Sequence, residues 1–388
     1  MRLTKPITKE ILKNADEIII YGAGNCGEIV MRGLEKWGYK VDFFCDQKEH
    51  LKTKWGVEVI RPAELSKHKN AVILLAALNF FYEMIENCES LGCENYYDIE
   101  EIMKLDIPDE ELSYQAQDIL ANRARFLDVI NHSPEENRLC IGKIELTVTE
   151  ACTLNCRDCS YLMPHYKQPK NMDIETCINS IENLLKAVDR VSEFRLLGGE
   201  PFVNVEIYKI IEWLKRNSKI SVIDIHTNGT IIPKENVIKS LQDEKVIIHI
   251  SDYNVKTNKK EELIKLFKEK GIRFFVRKYD KWQDNGTMEN KNYTEAEKQR
   301  VFFNCTSRNC YTLKGNKLFR CARSAHGMSV GFVPDMPSDY VILDDACKTT
   351  EELKQEIANL LFSKKAIQTC GYCCDLSKCK EIEAAIQL

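Results

Sequence analysis

At 388 residues the chain has room for two or three domains and a sizeable buried core. A hydrophobic fraction of 44%, a charged fraction of 29% and a formal charge of −4 describe an ordinary soluble protein, and no basic run is long enough to argue for nucleic acid. The longest apolar run, 71–78, falls far short of a membrane span, and residues 1–6 lack a signal peptide's apolar stretch, so a cytosolic, cytoplasmic protein with no membrane partner is expected.

Seventeen cysteines depart from that composition. In a reducing compartment such density reads as metal-bound or free thiols rather than disulfides. Cys26, Cys45, Cys88, Cys93, Cys140, Cys177 and Cys347 are scattered and read as buried spectators; the other ten fall in two groups, 152–159 and 305–379.

The apolar Ile18–Tyr21, the turn Gly22-Ala-Gly24-Asn-Cys-Gly27 and the apolar-patterned 28–34 predict strand, tight turn and helix, with free amides that can hold a phosphate. A second strand at 40–44 ends near Asp46, where a ribose-binding acid would lie. Strands at 71–76 and 96–97 and a helix at 81–91 complete a doubly wound, Rossmann-like unit over residues 1–105. Gly22, Gly24, Gly27 and Asp46 are its candidate nucleotide-binding residues. With Gly56-Val-Glu-Val-Ile60-Arg-Pro62-Ala-Glu-Leu65, the unit resembles the small front domain of bacterial sugar acyltransferases. That resemblance implies a nucleotide or nucleotide-linked sugar as ligand; a dinucleotide and a docking or structural role stay open. Between Pro108 and Pro134, Leu112, Ala116, Ile119, Leu120, Phe126, Leu127 and Ile130 repeat at helical spacing and predict a linker helix, 106–135, packed between domains.

The apolar run 144–148 reads as a buried strand, and Cys152-x-x-x-Cys156-x-x-Cys159 follows it in a loop. Three thiolates so close can converge on an iron–sulfur cluster and leave one iron open, although a zinc loop with a distant fourth ligand has the same spacing. His165 lies in the following proline-bearing loop; a solvent-facing or capping role competes with a substrate role. A helix at 174–188, a strand at 193–197 ending in Gly198-Gly199-Glu200-Pro201, a helix at 206–216 and a strand at 221–225 followed by Thr227-Asn228-Gly229-Thr230 come next. Strands at 246–251 and 272–276 continue the alternation. Six parallel strands would form a partial (β/α)6 TIM-like barrel over 136–300, its site at the strands' C-terminal ends.

On these three motifs the chain resembles the radical S-adenosylmethionine superfamily, over roughly 136–380. Asp158 stands where relatives often carry an aromatic residue before the last cysteine. The resemblance implies a [4Fe-4S] cluster on Cys152, Cys156 and Cys159, with S-adenosylmethionine chelating its open iron. Gly198, Gly199, Glu200 and Pro201 would meet the cofactor's ammonium, glycine being needed because a Cβ would occupy the ligand's space. Asn228 and Ser251 would reach its ribose or carboxylate, with a helix cap as the other reading of Ser251 and a packed strand position for His226.

Cys305, Cys310 and Cys321 surround 311–320, which reads as a hairpin turning at Gly315-Asn316, and Cys370-Gly-Tyr-Cys373-Cys374 and Cys379 follow. A C-x-x-C with a cysteine-ended hairpin is a four-ligand signal for zinc or iron–sulfur. After a radical core it resembles the SPASM/Twitch domain, and no C-x-x-x-C follows Cys379, which implies a single auxiliary [4Fe-4S] cluster in a small cysteine-rich domain, 301–388. Cys310, Cys321, Cys370 and Cys373 are the expected ligands, Cys305 is the main rival, and Cys374 and Cys379 are reserves.

The expected activity is reductive cleavage of S-adenosylmethionine to a 5′-deoxyadenosyl radical and hydrogen abstraction from a carbohydrate or nucleotide-linked sugar, in a dehydrogenation or epimerisation. The electron would come from a donor such as flavodoxin or ferredoxin. A radical peptide maturase and a non-catalytic iron–sulfur sensor are the alternatives.

Overall fold

The computed structural model describes residues 3–48, 51–77, 80–132 and 138–388, so Leu78 of the long apolar run and Pro134 lie outside the described residues. The chain divides into two compact units, Met1–Ser133 and Pro134–Leu388.

The first unit carries β1 (Lys5–Pro6), α1 (Lys9–Lys13), β2 (Ile18–Tyr21), α2 (Asn25–Trp37), β3 (Phe43–Cys45), β4 (Thr53–Lys54), β5 (Val57–Ile60), β6 (Val72–Leu75), α3 (Phe81–Ser90), β7 (Tyr96–Asp98) and α4 (Glu100–Met103). The seven strands lie in the order β1-β7-β6-β2-β3-β5-β4, parallel except at β4–β5. From β2 the chain runs outward through β3 and β5, then returns to β6 on the other side. That reversal is the switch point of a doubly wound sheet, and the turn after β2 sits there. β2 and β6 are buried along their whole length, as strands covered on both faces must be.

The linker reading does not hold as one helix between domains. Residues 114–131 form two helices, α5 (Tyr114–Ala121) and α6 (Arg123–Asn131), parted at Asn122, whose φ of −109° and ψ of 31° leave the helical region. Leu112, Ala116, Phe126, Val129 and Ile130 bury themselves in the first unit's own core, so that unit extends beyond residue 105.

The second unit runs β8 (Cys140–Ile141), β9 (Ile144–Thr149), α7 (Ile174–Ala187), β10 (Arg190–Gly198), α8 (Ile207–Lys215), β11 (Ile220–Thr227), α9 (Glu235–Leu241), β12 (Val246–Asp252), α10 (Lys260–Lys270), β13 (Phe274–Lys278) and β14 (Lys281–Gln283). It continues with α11 (Glu295–Asn304), β15 (Tyr311–Lys314), β16 (Lys317–Phe319), α12 (Ala322–Val330), β17 (Tyr340–Ile342), α13 (Thr350–Phe362) and β18 (Glu381–Glu383). The main sheet has the order β13-β12-β11-β10-β9-β15-β16-β17. β9 to β13 are parallel, as their helical crossovers require. Ile144, Leu146, Val148, Phe194, Leu196, Ile223, Ile225, Ile248 and Ile250 form the apolar layer shared with the helices.

A sixth parallel strand is present, but it comes from the cysteine-rich end of the chain: β15 pairs with β9 through Tyr311↔Ile144 and Leu313↔Leu146. The hairpin β15–β16 turns at Gly315-Asn316 and belongs to the barrel sheet, because Leu313 and Leu318 complete the same apolar layer. Among the described residues no helix is long and apolar enough to cross a membrane.

Leu313 is fully buried and Val205 is 41% exposed. Leu313→Ala should therefore destabilise the second unit by about 2–5 kcal/mol, and Val205→Ala by less than about 0.5 kcal/mol, in chemical denaturation. Equal effects would show that the hairpin is not part of the barrel core.

Candidate metal centre and cofactor site

Cys152, Cys156 and Cys159 lie in the loop that leaves β9. Leu154, Cys156 and Ala385 form a small apolar cluster there, with Tyr253, Val255 and Trp282 packed against it. Leu162 N donates to Cys159 O at 2.9 Å; Leu154 N and Asn228 Nδ2 stand 3.4 and 3.6 Å from Cys152 Sγ. Gln387 Nε2 donates to Cys156 Sγ at 3.2 Å, and Arg157 N and Leu388 N exchange hydrogen bonds with Ile386 O and Asn155 O. These C-terminal contacts carry no sequence motif. Burial pushes the Cys152 thiol up to about 12 and raises Cys156 and Cys159, so ligation here must displace protons. Asp158 pairs with Arg157.

Gly198 and Gly199 sit where the end of β10 crosses this loop. A Cβ on Gly198, at φ +157°, would stand 2.0 Å from Thr149 O, and one on Gly199 2.1 Å from Ala151 O and 2.8 Å from Cys152 N. The cysteine loop's own backbone therefore demands the glycines, and the expectation that a ligand's volume does so is revised. Glu200 is fully buried. Its carboxylate accepts from Thr227 Oγ1 at 2.8 Å, Asn228 N at 2.7 Å and Phe202 N at 3.2 Å. It thereby holds the turn after β11, and burial raises it to about 7 despite those donors. Pro201 opens a short 3-10 turn. Asn228 spans the gap: Nδ2 donates to Thr153 Oγ1 and Oδ1 accepts from Thr230 N. Ser251 lies inside β12, not at a helix cap. His165 packs on Phe332 at 4.8 Å between ring centroids.

Because alternate strand residues face the helices, Glu145, Thr147, Glu193, Arg195, Asp224, His226 and His249 face the barrel lumen. Register aligns Glu145 with Arg195 and Arg195 with Asp224, and beside them His226 with His249. Asp224 accepts from Arg195 Nε at 2.9 Å and meets His226 Nε2 at 2.9 Å and His249 Nδ1 at 2.5 Å; Arg195 also pairs with Glu193 at 3.1 Å. Burial and the neighbouring Arg195 bring His226 down to about 4, so its ring is neutral at pH 7. The packed strand position expected for His226 is thus a lumen position, which the period-two pattern of 220–227 could have indicated.

Among the described residues, Asp224, His226 and His249 are the one His/Cys/Asp/Glu group with three ligand atoms within 4.8 Å of one another. Arg195 already supplies that carboxylate with positive charge. Neither cysteine set is as tight.

Six of the seven C-terminal candidates, Cys305, Cys310, Cys321, Cys370, Cys373 and Cys374, line one cavity of about 170 Å³ that Glu145 and Tyr161 also reach. Burial raises Cys321, and so do the facing sulfurs of Cys373, Cys305 and Cys370. Cys370 is raised by burial and then by Cys373 and Cys305. Cys305, Cys321, Cys370 and Cys373 thus lie near one another, and Cys310 also lies near Cys305. Cys310 Sγ takes a hydrogen bond from Lys143 Nζ at 3.1 Å, and Lys143 meets Glu145 at 3.3 Å.

In the front unit, Gly22, at φ +116°, would drive a Cβ to 2.6 Å from Ala76 O, and Gly27 one to 2.1 Å from Gly22 O. Gly24 caps α2 without a side-chain bond. Asp46 Oδ2 accepts from Ala23 N at 3.0 Å and Oδ1 from Lys48 N at 2.9 Å, so its carboxylate fastens the turn.

Compared with known families, residues 146–286 match the Radical SAM superfamily. A GTP 3′,8-cyclase of Clostridium acetobutylicum is 35% identical over 96 residues, 24% of this chain and 29% of that protein. An uncharacterised protein of Methanocaldococcus jannaschii is 33% identical over 109 residues, 27% of this chain and 36% of its own length. The match thus spans about a third of the length of these curated relatives. Among solved structures, native anSMEcpe with bound AdoMet is 16% identical over 57% of this chain and 84% of that one, with a TM-score of 0.38. The chain carries a radical SAM domain, and that superfamily uses a [4Fe-4S] cluster and S-adenosylmethionine.

Gly199→Ala should force the cysteine loop away from β10 and cost about four irons per chain while leaving iron at the other cysteine set. Gly24→Ala, whose Cβ meets nothing within 4 Å, should leave iron content unchanged. Iron analysis of anaerobically reconstituted protein reads both; full iron in the first variant would rule out the role given to that contact.

Proposed function

We propose that this radical SAM protein acts on a carbohydrate, with a nucleotide-linked sugar as its substrate class. The lumen carries the reading. Glu145, Arg195, Asp224, His226 and His249 offer donors and acceptors suited to a ligand bearing several hydroxyls, beside the strand ends that lead to the cysteine loop.

Cys152, Cys156 and Cys159 would hold the cluster, with Asn228 and Ser251 at neighbouring strand ends to meet S-adenosylmethionine. When bound, that pair supplies a 5′-deoxyadenosyl radical able to take a hydrogen atom from an unactivated carbon. The chain's own residues orient the substrate. With His226 Nε2 committed to Asp224, Nδ1 is left to accept a hydrogen bond from a substrate hydroxyl and orient it. Cys305, Cys321, Cys370 and Cys373 would hold an auxiliary cluster with no open iron, suited to receiving an electron. The reductant for the first cluster is external, of the flavodoxin or ferredoxin kind. The glycine turn at the front unit's switch point suits a nucleotide phosphate.

The test uses the reconstituted full chain with dithionite, S-adenosylmethionine and a panel of UDP-, GDP- and dTDP-sugars. A nucleotide sugar should raise 5′-deoxyadenosine release severalfold and yield a product two mass units lighter. Cys152→Ala, Cys156→Ala and Cys159→Ala together should abolish release. His226→Gln should keep substrate-free cleavage and lose about 10²-fold or more of product. Stimulation by peptides and by no nucleotide sugar would overturn the substrate class.

A further inference from the structure

Cys374 and Cys379 form a pair of their own, although Cys374 also lines the cysteine cavity. Their sulfurs are 2.9 Å from each other, and Cys379 does not line the cysteine cavity. Two sulfurs on one tetrahedral ion would be ~3.8 Å apart, and on different irons of a cluster farther still. Carbon atoms in van der Waals contact keep ~3.5–4.0 Å between them, and at 2.9 Å Cys379 Sγ donates to Cys374 Sγ. The spacing is too short for two ligands of one ion or of a cluster, and it leaves the two thiols in the contact from which a covalent bond between them forms.

The chain holds them together independently of the sulfurs. Between them a 3-10 turn, Leu376–Lys378, is capped by Asp375, which accepts from Ser377 N at 3.2 Å. Lys378 N donates to Asp375 O at 2.9 Å and Cys379 N to Leu376 O at 3.3 Å, folding the loop end to end. Asn304 Nδ2 and Arg300 Nε anchor the Asp375 carboxylate at 3.0 and 3.3 Å. On the far side, Cys374 Sγ donates to Asn285 O at 3.0 Å, and Gln283 Nε2 donates to Leu376 O at 2.6 Å. β14 and β18, which flank this region, pair antiparallel through Trp282↔Ile382. Three chain segments thus fix both cysteines before any bond forms.

We propose that Cys374 and Cys379 are a dithiol–disulfide couple beside the auxiliary site, not ligands of it. The oxidant is a low-molecular-weight disulfide. One thiolate attacks a sulfur of the reagent and releases one thiol. The second then displaces the other, so two protein thiols and one disulfide become one protein disulfide and two small thiols. A loop this short gains little chain-entropy stabilisation from cross-linking, which favours a reversible bond over a structural one. Closure pins the segment that directly follows Cys373 and withdraws Cys374 from its hydrogen bond to Asn285.

The experiment equilibrates the anaerobic holoenzyme with glutathione disulfide, blocks free thiols with N-ethylmaleimide, and maps peptides without reduction. The expected result is a 374–379 peptide two hydrogens lighter and unalkylated, reverting with dithiothreitol, at unchanged iron per chain. Cys379→Ser should remove that species and keep the iron. Recovery of both cysteines alkylated after glutathione disulfide would overturn the proposal. So would a Cys379→Ser chain that is folded by circular dichroism yet has lost about four irons, which makes Cys379 a cluster ligand.

Discussion

Two backbone segments meet after β9 and β10 with no room for anything larger than a hydrogen atom, and the candidate site is built on that meeting. Thr149 O and Ala151 O stand 2.0 and 2.1 Å from where Cβ atoms on Gly198 and Gly199 would be. Gly199 N and Glu200 N donate to those same two carbonyls, so the contact is bonded as well as close. Glu200 then carries the constraint sideways, its buried carboxylate collecting Thr227 and Asn228 from the end of β11. Burying a carboxylate without a cation is costly, and burial raises this one to about 7. The return is a cysteine loop, a glycine pair and an asparagine turn locked in one geometry.

Inside the sheet the usual filling is reversed. An eight-stranded barrel packs its lumen with branched apolar side chains. Here the apolar layer lies toward the helices, and the lumen holds Glu145, Glu193, Arg195, Asp224, His226 and His249. Arg195 is shared between two carboxylates, and Asp224 between Arg195 and two imidazoles. Such a network is weak evidence for stability, since desolvation offsets its attraction. Its concentration on lumen-facing positions is better explained by a polar ligand.

Much of this architecture was legible. Period-two apolar runs with intervening helical patterns gave β9 to β13 nearly in place, because a strand buried on its helix side leaves that pattern. The Gly315-Asn316 hairpin was legible for the same reason, but its partner was not, since nothing in 311–319 says which sheet edge it will join. The break at Asn122 escaped detection because apolar residues on either side keep helical spacing across it. Cys305 and Cys310 are both compatible with spacing alone and both line the cavity; no local pattern shows that Lys143, 167 residues away, bonds the Cys310 sulfur. The contacts of Gln387 with the cysteine loop follow no pattern that a local reading could find.

The sheet also sets the two cysteine groups relative to each other. β15 runs parallel to β9, with Tyr311 beside Ile144. Cys310 therefore lies at the level where β9 begins, close to Lys143, whereas Cys152 follows the end of β9 at Thr149. Five residues of strand, at about 3.3 Å each, put roughly 17 Å between those levels along β9. Glu145 connects them: it bonds Tyr161 from the loop after Cys159 and Lys143 beside Cys310. The cavity of the C-terminal cysteines nevertheless reaches Ser160 and Tyr161, directly after Cys159, and Arg323 lies near both Cys159 and Cys373, so the loop after β9 meets both cysteine groups. The meeting of the two groups is set within one sheet. It is imposed by a hydrogen-bonded strand pair rather than by a flexible linker.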